Sequence, residues 1–444
     1  MDLESILQSI PSDADEAVVE HQFSKKFLEA LGYEGLGIYP QFPVSKGAVD
    51  WAARKNTPED IFLETKKDPY LYMEVKGRTK NLTEGHPHYN KAVLQLKQYL
   101  LDPASKSVQW GIVMNSINAQ LFCKHGKVVH PVTPCLSFDN VKQLVKEFKG
   151  RIEAPRKSLV IAVYNNKGGV GKTTTTLNLA ATLSMLKNRV LVIDFDPNQS
   201  DLGDALNLPP IQGGMRSVLE DKNADVREVI KPYKFEHPKL KSPRGFDVIL
   251  ADEELVSKVD EVELRQRVKP HALLRALETI KTEYDYILID APPNWRIFSQ
   301  RAIYAADVVL IPARHDNLHS LQNAAMAITK FIPEVQQERN KSGDAGPVAL
   351  PIFMNNAFKT SAPQLQLMHS AIERIIKDAK KEGFDLTPYF YPKQRKGQRG
   401  TGRMISIPYM AYISKADFLH VPAAFAFKNA RDQYLTLAKE YFVQ

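Results

Sequence analysis

A short glycine-rich stretch, "NNKGGVGKTTTT" (residues 165–176), constrains this chain more than any other feature. An apolar run, Leu159 to Val163, precedes it, and a pattern with Leu179, Leu183 and Leu186 at helical spacing follows it. A strand, a glycine loop and a helix in this order are what a phosphate-binding loop requires. The glycines let backbone N–H groups turn toward phosphate oxygens, and the helix presents its positive end to the same anion. The stretch therefore predicts a nucleotide-binding α/β domain.

The rest of the chain indicates two domains. Behind the loop, helical patterns alternate with near-continuous apolar runs at Val190–Ile193, Ile287–Ile289, Val308–Ile311 and Val348–Phe353. Such runs are typical of a parallel sheet that is covered on both faces. We therefore predict a C-terminal P-loop domain (158–444) with a doubly wound, mostly parallel sheet. A polar stretch with Pro155 predicts a linker at 146–157, and the patterns before it predict a small α/β domain at 1–145.

Composition excludes several classes of protein. The chain has 444 residues, 43% of them apolar, but no run of apolar residues long enough to span a membrane. It has only two cysteines, Cys123 and Cys135, so a disulfide framework is not expected and a reducing cytoplasm fits best. The net charge of +8 permits a polyanionic partner.

Two lysines in the glycine loop carry different expectations. Lys172 is placed to reach the β- and γ-phosphates of a nucleotide, and the Thr173 hydroxyl to ligate Mg²⁺. Lys167, which precedes the two glycines, resembles the deviant loop of the ParA and MinD ATPases, whose motif is KGGxGKT[TS]. The resemblance implies that Lys167 crosses to a partner subunit and that ATP, with Mg²⁺, joins a homodimer. It also implies that the nucleotide is held by Lys167, Gly168, Gly169, Val170, Gly171, Lys172, Thr173 and Thr174.

Three later motifs agree with this resemblance. "VIDFDPNQSDLG" (192–203) is similar to the family's second acidic motif, which implies that Asp196 positions the attacking water and Asp194 supports the metal. "YILIDAPP" (286–293) is similar to its Walker B strand, with Asp290 near the Mg²⁺. "FMNN" (353–356) lies where the family places an asparagine against adenine, and either Asn355 or Asn356 fills that role.

The ParA branch of the family fits best. No cysteine follows Cys135, as iron–sulfur relatives would require, and the C-terminal stretch resembles a packing helix rather than a basic membrane helix. The branch implies an ATP-bound dimer that binds DNA without strong sequence preference, a cytoplasmic, nucleoid-associated location, no membrane, and an adaptor or centromere-binding partner. A basic stretch within 387–407 supplies candidate DNA contacts: Lys393, Arg395, Lys396, Arg399 and Arg403.

The N-terminal block carries a second pattern. In "PYLYMEVKGR" (69–78), Glu74 and Lys76 lie on one strand face, about 7 Å apart, and Asp50 lies upstream. A carboxylate followed by Glu-x-Lys is how metal-dependent nucleases hold Mg²⁺ and a nucleophilic water. A solvated strand face would show the same three residues. Together with Glu20, Gln95 and Tyr99, however, the pattern resembles the nuclease domain of type I restriction subunits. This implies that Asp50 and Glu74 bind metal, that Lys76 is catalytic, and that Glu20, Gln95 and Tyr99 support them.

Two functions follow from these patterns. The first is a ParA-like ATPase, forming an ATP-dependent DNA-binding dimer, fused to a restriction-endonuclease-like domain that cuts DNA with Mg²⁺, in defence against foreign DNA. The alternative is a partition or cargo-positioning ATPase whose N-terminal domain only binds DNA or a partner.

Overall fold

The computed structural model describes residues 2–45, 47–236, 243–252, 254, 261–357, 362–392 and 404–443. It forms two compact units. The first comprises Met1–Pro155, Asn340–Ala345 and Phe442–Gln444, and the second comprises Arg156–Arg339 and Gly346–Tyr441.

The first unit is built on a mixed sheet. Its strands are β1 (Ile38–Val44), β2 (Gly47–Ala53), β3 (Leu71–Val75), β4 (Trp110–Met114), β5 (Asn118–His125), β6 (Val128–Pro131) and β7 (Leu136–Ser137). The order is β1-β2-β3-β4-β5-β6, with β7 paired to β5. Strands β3 and β4 run parallel, and the other neighbours run antiparallel.

Helices cover both faces of this sheet. They are α1 (Leu3–Ser9), α2 (Glu16–Val19), α3 (Lys25–Ala30), α4 (Phe62–Thr65), α5 (Pro87–Leu100) and α6 (Val141–Glu153). A π-helical turn, Glu20–Ser24, connects α2 to α3. Phe23, Phe27 and Phe148 belong to the core on one face, while Leu96 of α5 belongs to a separate core on the other.

Residues 146–153 of the predicted linker lie within α6. Phe148 and Ile152 are buried in the core of the first unit, where apolar residues at helical spacing find a partner surface. The stretch is polar overall because the opposite side of the helix faces solvent, which is why its composition resembles that of a linker.

The second unit has a mostly parallel sheet. Its strands are β8 (Leu159–Val163), β9 (Val190–Asp194), β10 (Lys231–Phe235), β11 (Arg244–Ile249), β12 (Tyr286–Asp290), β13 (Val308–Leu310), β14 (Pro312–Ala313), β15 (Val348–Ala349), β16 (Phe353–Ala357) and β17 (Ile405–Pro408). The main sheet has the order β10-β11-β9-β12-β8-β13-β15, and β10 alone among these described strands pairs antiparallel. Strands β14, β16 and β17 form a smaller parallel sheet. The predicted α/β class is confirmed.

Helices flank these sheets. They are α7 (Lys172–Met185), α8 (Asp201–Leu206), α9 (Gly214–Glu220), α10 (Glu261–Arg267), α11 (Ala272–Glu278), α12 (Ile297–Ala305), α13 (Leu318–Met326), α14 (Ile332–Asn340), α15 (Ala362–Lys381), α16 (Thr387–Phe390), α17 (Tyr412–Phe418), α18 (Ala423–Ala426) and α19 (Lys428–Tyr441). None of the helices in the described ranges has the length and apolar character that crossing a membrane requires.

One predicted strand is divided in two. The apolar run Val348–Phe353 predicts a single strand, but Val348–Ala349 pairs in the main sheet and Phe353 begins β16 in the smaller sheet. Pro351 lies between them and has no N–H to donate to a ladder, so the chain leaves one sheet there and enters the next.

Candidate functional site

The glycine loop of the second unit connects β8 to α7. Gly169 and Gly171 have positive φ angles of 71° and 82°, a conformation that glycine adopts without strain. The Asn355 side chain donates from Nδ2 to the Val170 carbonyl oxygen at 2.9 Å, and the same amide would collide with any Cβ at position 171. Asn355 is therefore held against the loop, and Asn356 follows it in β16.

Two aspartates lie where neighbouring strands end. Asp194 of β9 and Asp290 of β12 are paired in register at the carboxyl ends of these parallel strands. Thr173 Oγ1 donates to Asp290 Oδ2 at 2.5 Å, and the Asp196 amide donates to Asp194 Oδ1 at 3.2 Å. The fold thus brings together the hydroxyl and the three carboxylates that the motifs predicted.

The two lysines of the loop differ in their surroundings. Lys172 is buried, and its Nζ donates to the Lys167 carbonyl oxygen at 3.3 Å. Burial lowers the pKa of Lys172, while the charges of Asp290 and Asp196 act against that shift. Lys167 is half-buried, and its own ammonium makes no hydrogen bond or ion pair within the described part of the chain.

The carboxylates of this site are suited to a cation. Asp194 Oδ2 and Asp290 Oδ1 are buried without a hydrogen-bond partner. Burial raises the pKa of Asp290 to about 7 and that of Asp194 well above its usual range, and it also raises the pKa of Asp196. Buried carboxylates of this kind are stabilised by a bound cation with oxygen ligands. The predicted cofactors, ATP and Mg²⁺, therefore fit: the loop and Lys172 would hold the phosphates, with Thr173, Asp194 and Asp290 around the metal.

A cavity of about 520 Å³ adjoins the beginning of α7. Thr173 and Thr174 line it together with residues of α8 and of the stretch from α17 to α18. Asn178 Oδ1 accepts from the Ala424 amide at 2.8 Å, which fastens α7 to this C-terminal stretch. Residues well beyond the sequence motifs thus help to position the phosphate-binding helix.

In the first unit, three predicted site residues meet on one face of the sheet. The register pairs Trp51 with Met73, so Asp50 lies beside Glu74 on the neighbouring strand. Asp50 Oδ2 accepts from the Val75 amide at 2.7 Å, and Lys76 Nζ donates to Glu74 Oε1 at 2.6 Å. The polar stretch between Asp50 and Glu74 loops out through α4 and leaves this pairing intact.

The pKa shifts in this cluster indicate carboxylates that a nearby positive charge would stabilise. Burial raises the pKa of Asp50 to about 6. Burial and then the charge of Asp50 raise the pKa of Glu74 to about 7. Burial acts to lower the pKa of Lys76, but the charge and hydrogen bond of Glu74 outweigh it and raise that pKa. Glu74 is fully buried, and its Oε2 lacks a hydrogen-bond partner. The two carboxylates, Asp50 and Glu74, therefore fit a divalent cation.

The pair would supply two ligands of such a cation. Within the described ranges, no group of three or more histidine, cysteine, aspartate or glutamate side chains is arranged to hold a metal ion. Water and the oxygens of a bound phosphate are the usual remaining ligands of Mg²⁺, which keeps several waters and seldom occupies an all-protein cage.

The predicted supporting residues lie around the cluster. On α5, Gln95 Nε2 donates to the Tyr99 hydroxyl at 3.0 Å. Burial raises the pKa of Tyr99, and the charges of Glu74 and Asp50 add to the shift. Glu20 accepts at Oε1 from Gln41 Nε2 at 2.8 Å.

Two residues of this region were missed in the sequence. Glu16 Oε2 accepts from Lys76 Nζ at 3.1 Å, and Gln41, with a positive φ of 47°, lies across from Asp50. Glu16 precedes Glu20 by one helical turn, so helical spacing alone would have placed both on one face. Nothing in the sequence marks Gln41, whose role depends on strand register.

The candidate DNA contacts Lys393, Arg395, Lys396, Arg399 and Arg403 lie outside the described residues. Their assignment stays a prediction from the sequence.

Comparison with known proteins places the nucleotide site in a family. A family model described as an AAA domain matches residues 158–343. The chromosome partitioning protein ParA of Myxococcus xanthus is 32% identical over 230 residues, which cover 51% of this chain and 74% of that protein. The sporulation initiation inhibitor protein Soj of Bacillus subtilis is 38% identical over 180 residues, covering 39% of this chain and 67% of Soj.

Solved structures are also similar. The septum site-determining protein MinD of Pyrococcus horikoshii, complexed with Mg-ADP, is 19% identical, with a TM-score of 0.43 over 64% of this chain and 95% of that one. The identity and coverage shared with ParA, together with the glycine loop and its aspartates, give the family. This chain belongs to the ParA family of P-loop ATPases.

Proposed function

We propose that ATP joins two copies of this chain through the second unit and that the ATP-bound dimer binds DNA without strong sequence preference. The observation that carries dimerisation is Lys167. It is a half-buried lysine that directly precedes Gly168 in the glycine loop. Its ammonium makes no hydrogen bond or ion pair within the described residues of its own chain. Two triphosphates at one interface need more cationic groups than a single loop supplies.

The residues of the site divide the work of hydrolysis. Mg²⁺ would neutralise phosphate charge at this site. Lys172, directed back over the loop, would hold the β- and γ-phosphates. Asp196, two residues beyond the carboxyl end of β9, would orient the attacking water. Lys167 of each subunit would reach the nucleotide of the other. Hydrolysis would then be slow in the monomer, since half of the cationic groups come from the partner.

DNA binding is supported by the net charge of +8, by the basic stretch within 387–407, and by the similarity to the chromosome partitioning protein of Myxococcus xanthus. Neutralising Lys396 and Arg399 together should weaken binding evenly across sequences. It should also reduce the slope of log affinity against log salt by roughly 2 units, because two phosphate contacts are lost. Fluorescence anisotropy with two unrelated duplexes measures this in ATP and in ADP. An unchanged slope would show that the stretch does not contact DNA.

We further propose that the first unit is a Mg²⁺-dependent deoxyribonuclease. The observation that carries this proposal is the row formed by Asp50, Glu74 and Lys76, in which two buried carboxylates and a lysine share one sheet face. Asp50 and Glu74 would hold the cation, which supplies positive charge against the scissile phosphate. Lys76 would orient the attacking water and stabilise charge that develops on the phosphate.

Cleavage of plasmid DNA tests the nuclease directly. The wild-type protein should cut supercoiled plasmid in Mg²⁺ or Mn²⁺, and Glu74→Ala should abolish cutting while ATP hydrolysis continues. Lys76→Ala should slow cutting without loss of metal binding, because lysine is not a metal ligand. Glu29→Ala is a matched control, because Glu29 is a partly exposed glutamate of the same unit that pairs with Lys26 instead. Equal cutting by wild type and Glu74→Ala would refute the nuclease.

The second candidate function is partition or cargo positioning, with a first unit that only binds DNA or a partner. The similarity to the chromosome partitioning protein ParA of Myxococcus xanthus favours it. Neighbouring genes distinguish the two roles. Restriction or defence genes would favour DNA cleavage against foreign DNA, whereas a small centromere-binding or adaptor gene would favour partition.

A further inference from the structure

Two glutamates that precede the proposed nuclease residues each contact a residue beside a proposed metal ligand. Glu16 Oε2 accepts from Lys76 Nζ at 3.1 Å, next to Glu74. Glu20 Oε1 accepts from Gln41 Nε2 at 2.8 Å, and Gln41 lies across from Asp50. The two glutamates are one helical turn apart, at the point where α2 passes into the π-helical turn Glu20–Ser24. Such π-helical turns are frequent at functional sites.

Lys76 is shared between two acids. Its ammonium donates to Glu74 Oε1 at 2.6 Å, to the Val75 carbonyl oxygen at 2.7 Å and to Glu16 Oε2 at 3.1 Å, which uses all three of its donors. The side chain of Lys76 is 16% exposed and that of Glu74 is fully buried, whereas that of Glu16 is 47% exposed. A cation that takes Glu74 Oε1 therefore competes with Lys76 for the same oxygen.

We propose that Glu16 is a positioning residue that holds Lys76 beside the site when a divalent cation occupies Glu74. With Glu16 present, the ammonium keeps two of its three acceptors after it gives up Glu74 Oε1. Without the charge of Glu16, Lys76 depends more strongly on Glu74 as its partner. Displacing the ammonium from Glu74 then takes more free energy, and the cation binds more weakly. Glu16 thus favours cation binding by acting on Lys76. This inference rests on the proposed cation site of the first unit.

The test is Mn²⁺ binding to the full chain without nucleotide, measured by the electron paramagnetic resonance of free Mn²⁺. Binding that survives in Glu74→Ala is subtracted, so that only the Glu74 site is counted. Glu16→Gln should weaken Mn²⁺ binding about fivefold, in the range of one partly exposed ion pair. In a Lys76→Met background, where nothing competes for Glu74, the same change should have little effect.

Glu20→Gln is the matched control, because Glu20 lies on the same helical face but contacts Gln41. Any effect of the Glu20 charge on Mn²⁺ binding acts through space. The change in Mn²⁺ affinity caused by Glu20→Gln should therefore be equal in the wild-type and Lys76→Met backgrounds. If Glu16→Gln also has the same effect in both backgrounds, Glu16 acts only through space and the positioning role is wrong. A wild-type protein that binds no Mn²⁺ at Glu74 would overturn the inference as well.

The outcomes separate this inference from the nuclease proposal. Coupled Mn²⁺ binding in a protein that never cuts DNA would refute the nuclease and leave the role of Glu16 standing. Cleavage of plasmid without any coupling between Glu16 and Lys76 would do the reverse.

Discussion

Lys167 and Lys172 belong to one glycine-rich motif, yet their surroundings in the structure differ. Lys172 is buried beside Asp290 and Asp196, and its ammonium is bound to a carbonyl oxygen of its own loop. Lys167 is half-buried and makes no ion pair within the described residues. In the function proposed above, Lys172 would serve the nucleotide of its own subunit and Lys167 that of a partner.

These positions predict different defects. Lys172→Ala should weaken ATP binding at least tenfold, since it removes a charge-assisted contact to phosphate. Lys167→Ala should leave ATP binding nearly unchanged but abolish the ATP dimer and hydrolysis. Asp196→Ala should bind ATP and accumulate as the dimer, because no residue then orients the water. Analytical ultracentrifugation with a slowly hydrolysed ATP analogue checks this, and a Lys167→Ala protein that still dimerises would contradict it.

The buried carboxyl of Glu74 predicts a dependence of stability on pH. Its pKa is raised to about 7 in the folded protein from an ordinary value of 4.5, so the folded state binds more protons than the unfolded state between these values. Stability is therefore lost as pH rises through this window. Without divalent cations, Glu74→Gln should stabilise β3 at pH 8 by roughly 1–3 kcal/mol, and this gain should fade toward pH 4.5.

Hydrogen exchange of the full chain measures this locally, in peptides that cover Leu71–Val75. Exchange in Glu74→Gln should be slower than in wild type at pH 8. Glu29→Gln, at a partly exposed position, should leave these peptides unchanged. Faster exchange in Glu74→Gln at pH 8 would show that the Lys76 ion pair outweighs the cost of burying the carboxylate.

At this scale, the site residues that belong to contiguous motifs are predictable from the sequence. Thr173 and Asp290 are far apart in the chain, yet each was assigned because its motif carries a recognisable spacing. The position of Gln41 could not be predicted from the sequence, since only the antiparallel register brings it opposite Asp50. The side-chain bond between Asn355 and the Val170 carbonyl likewise depends on how β16 packs against the loop.

Among the elements, α5 is positioned over the sheet by a close approach to a glycine. A Cβ at Gly111 of β4 would lie 2.8 Å from Leu100 and 2.9 Å from Leu96, both on α5. The absent side chain lets α5, which carries Gln95 and Tyr99, lie close to the strand beside Glu74. A glycine inside a strand is otherwise unfavourable, so this close approach explains its presence.

Gly111→Val should displace α5 and destabilise the first unit by roughly 1–3 kcal/mol, the usual cost of overpacking a core. Hydrogen exchange in peptides that cover Pro87–Leu100 should accelerate, and plasmid cleavage should fall with it. Gly150→Ala is the matched control, because nothing lies within 4 Å of a Cβ at that position of α6. Unchanged exchange in α5 after Gly111→Val would contradict this packing.

Periodicity predicted most strands of the parallel sheet but placed element boundaries less well. Buried parallel strands are apolar throughout, so runs such as Leu159–Val163 coincide with β8. The split at Pro351 and the extension of α6 into the polar stretch at 146–153 depend on tertiary partners. A half-buried helix and a linker have similar average composition, and only the spacing of Phe148 and Ile152 distinguishes them.

For the whole molecule, the proposed nuclease and ATPase sites lie in different units of one chain. A two-fold dimer formed on ATP carries two copies of the first unit, whereas a monomer carries one. Double-strand cleavage needs two cuts, so it should depend on the dimer. In the dimer, the nuclease site of the second subunit is held near the same bound DNA. Its high effective concentration there accelerates the second cut.

The most direct test of this coupling is the time course of supercoiled plasmid cleavage by the full chain in Mg²⁺, with ATP and ADP compared side by side. With ATP, linear DNA should appear about tenfold or more faster than with ADP. Lys167→Ala should behave in ATP as wild type does in ADP, and Glu74→Ala should cut in neither while it still hydrolyses ATP. Absence of wild-type cleavage in Mg²⁺ and Mn²⁺, or equal rates of linearisation with ATP and ADP, would contradict the proposed coupling.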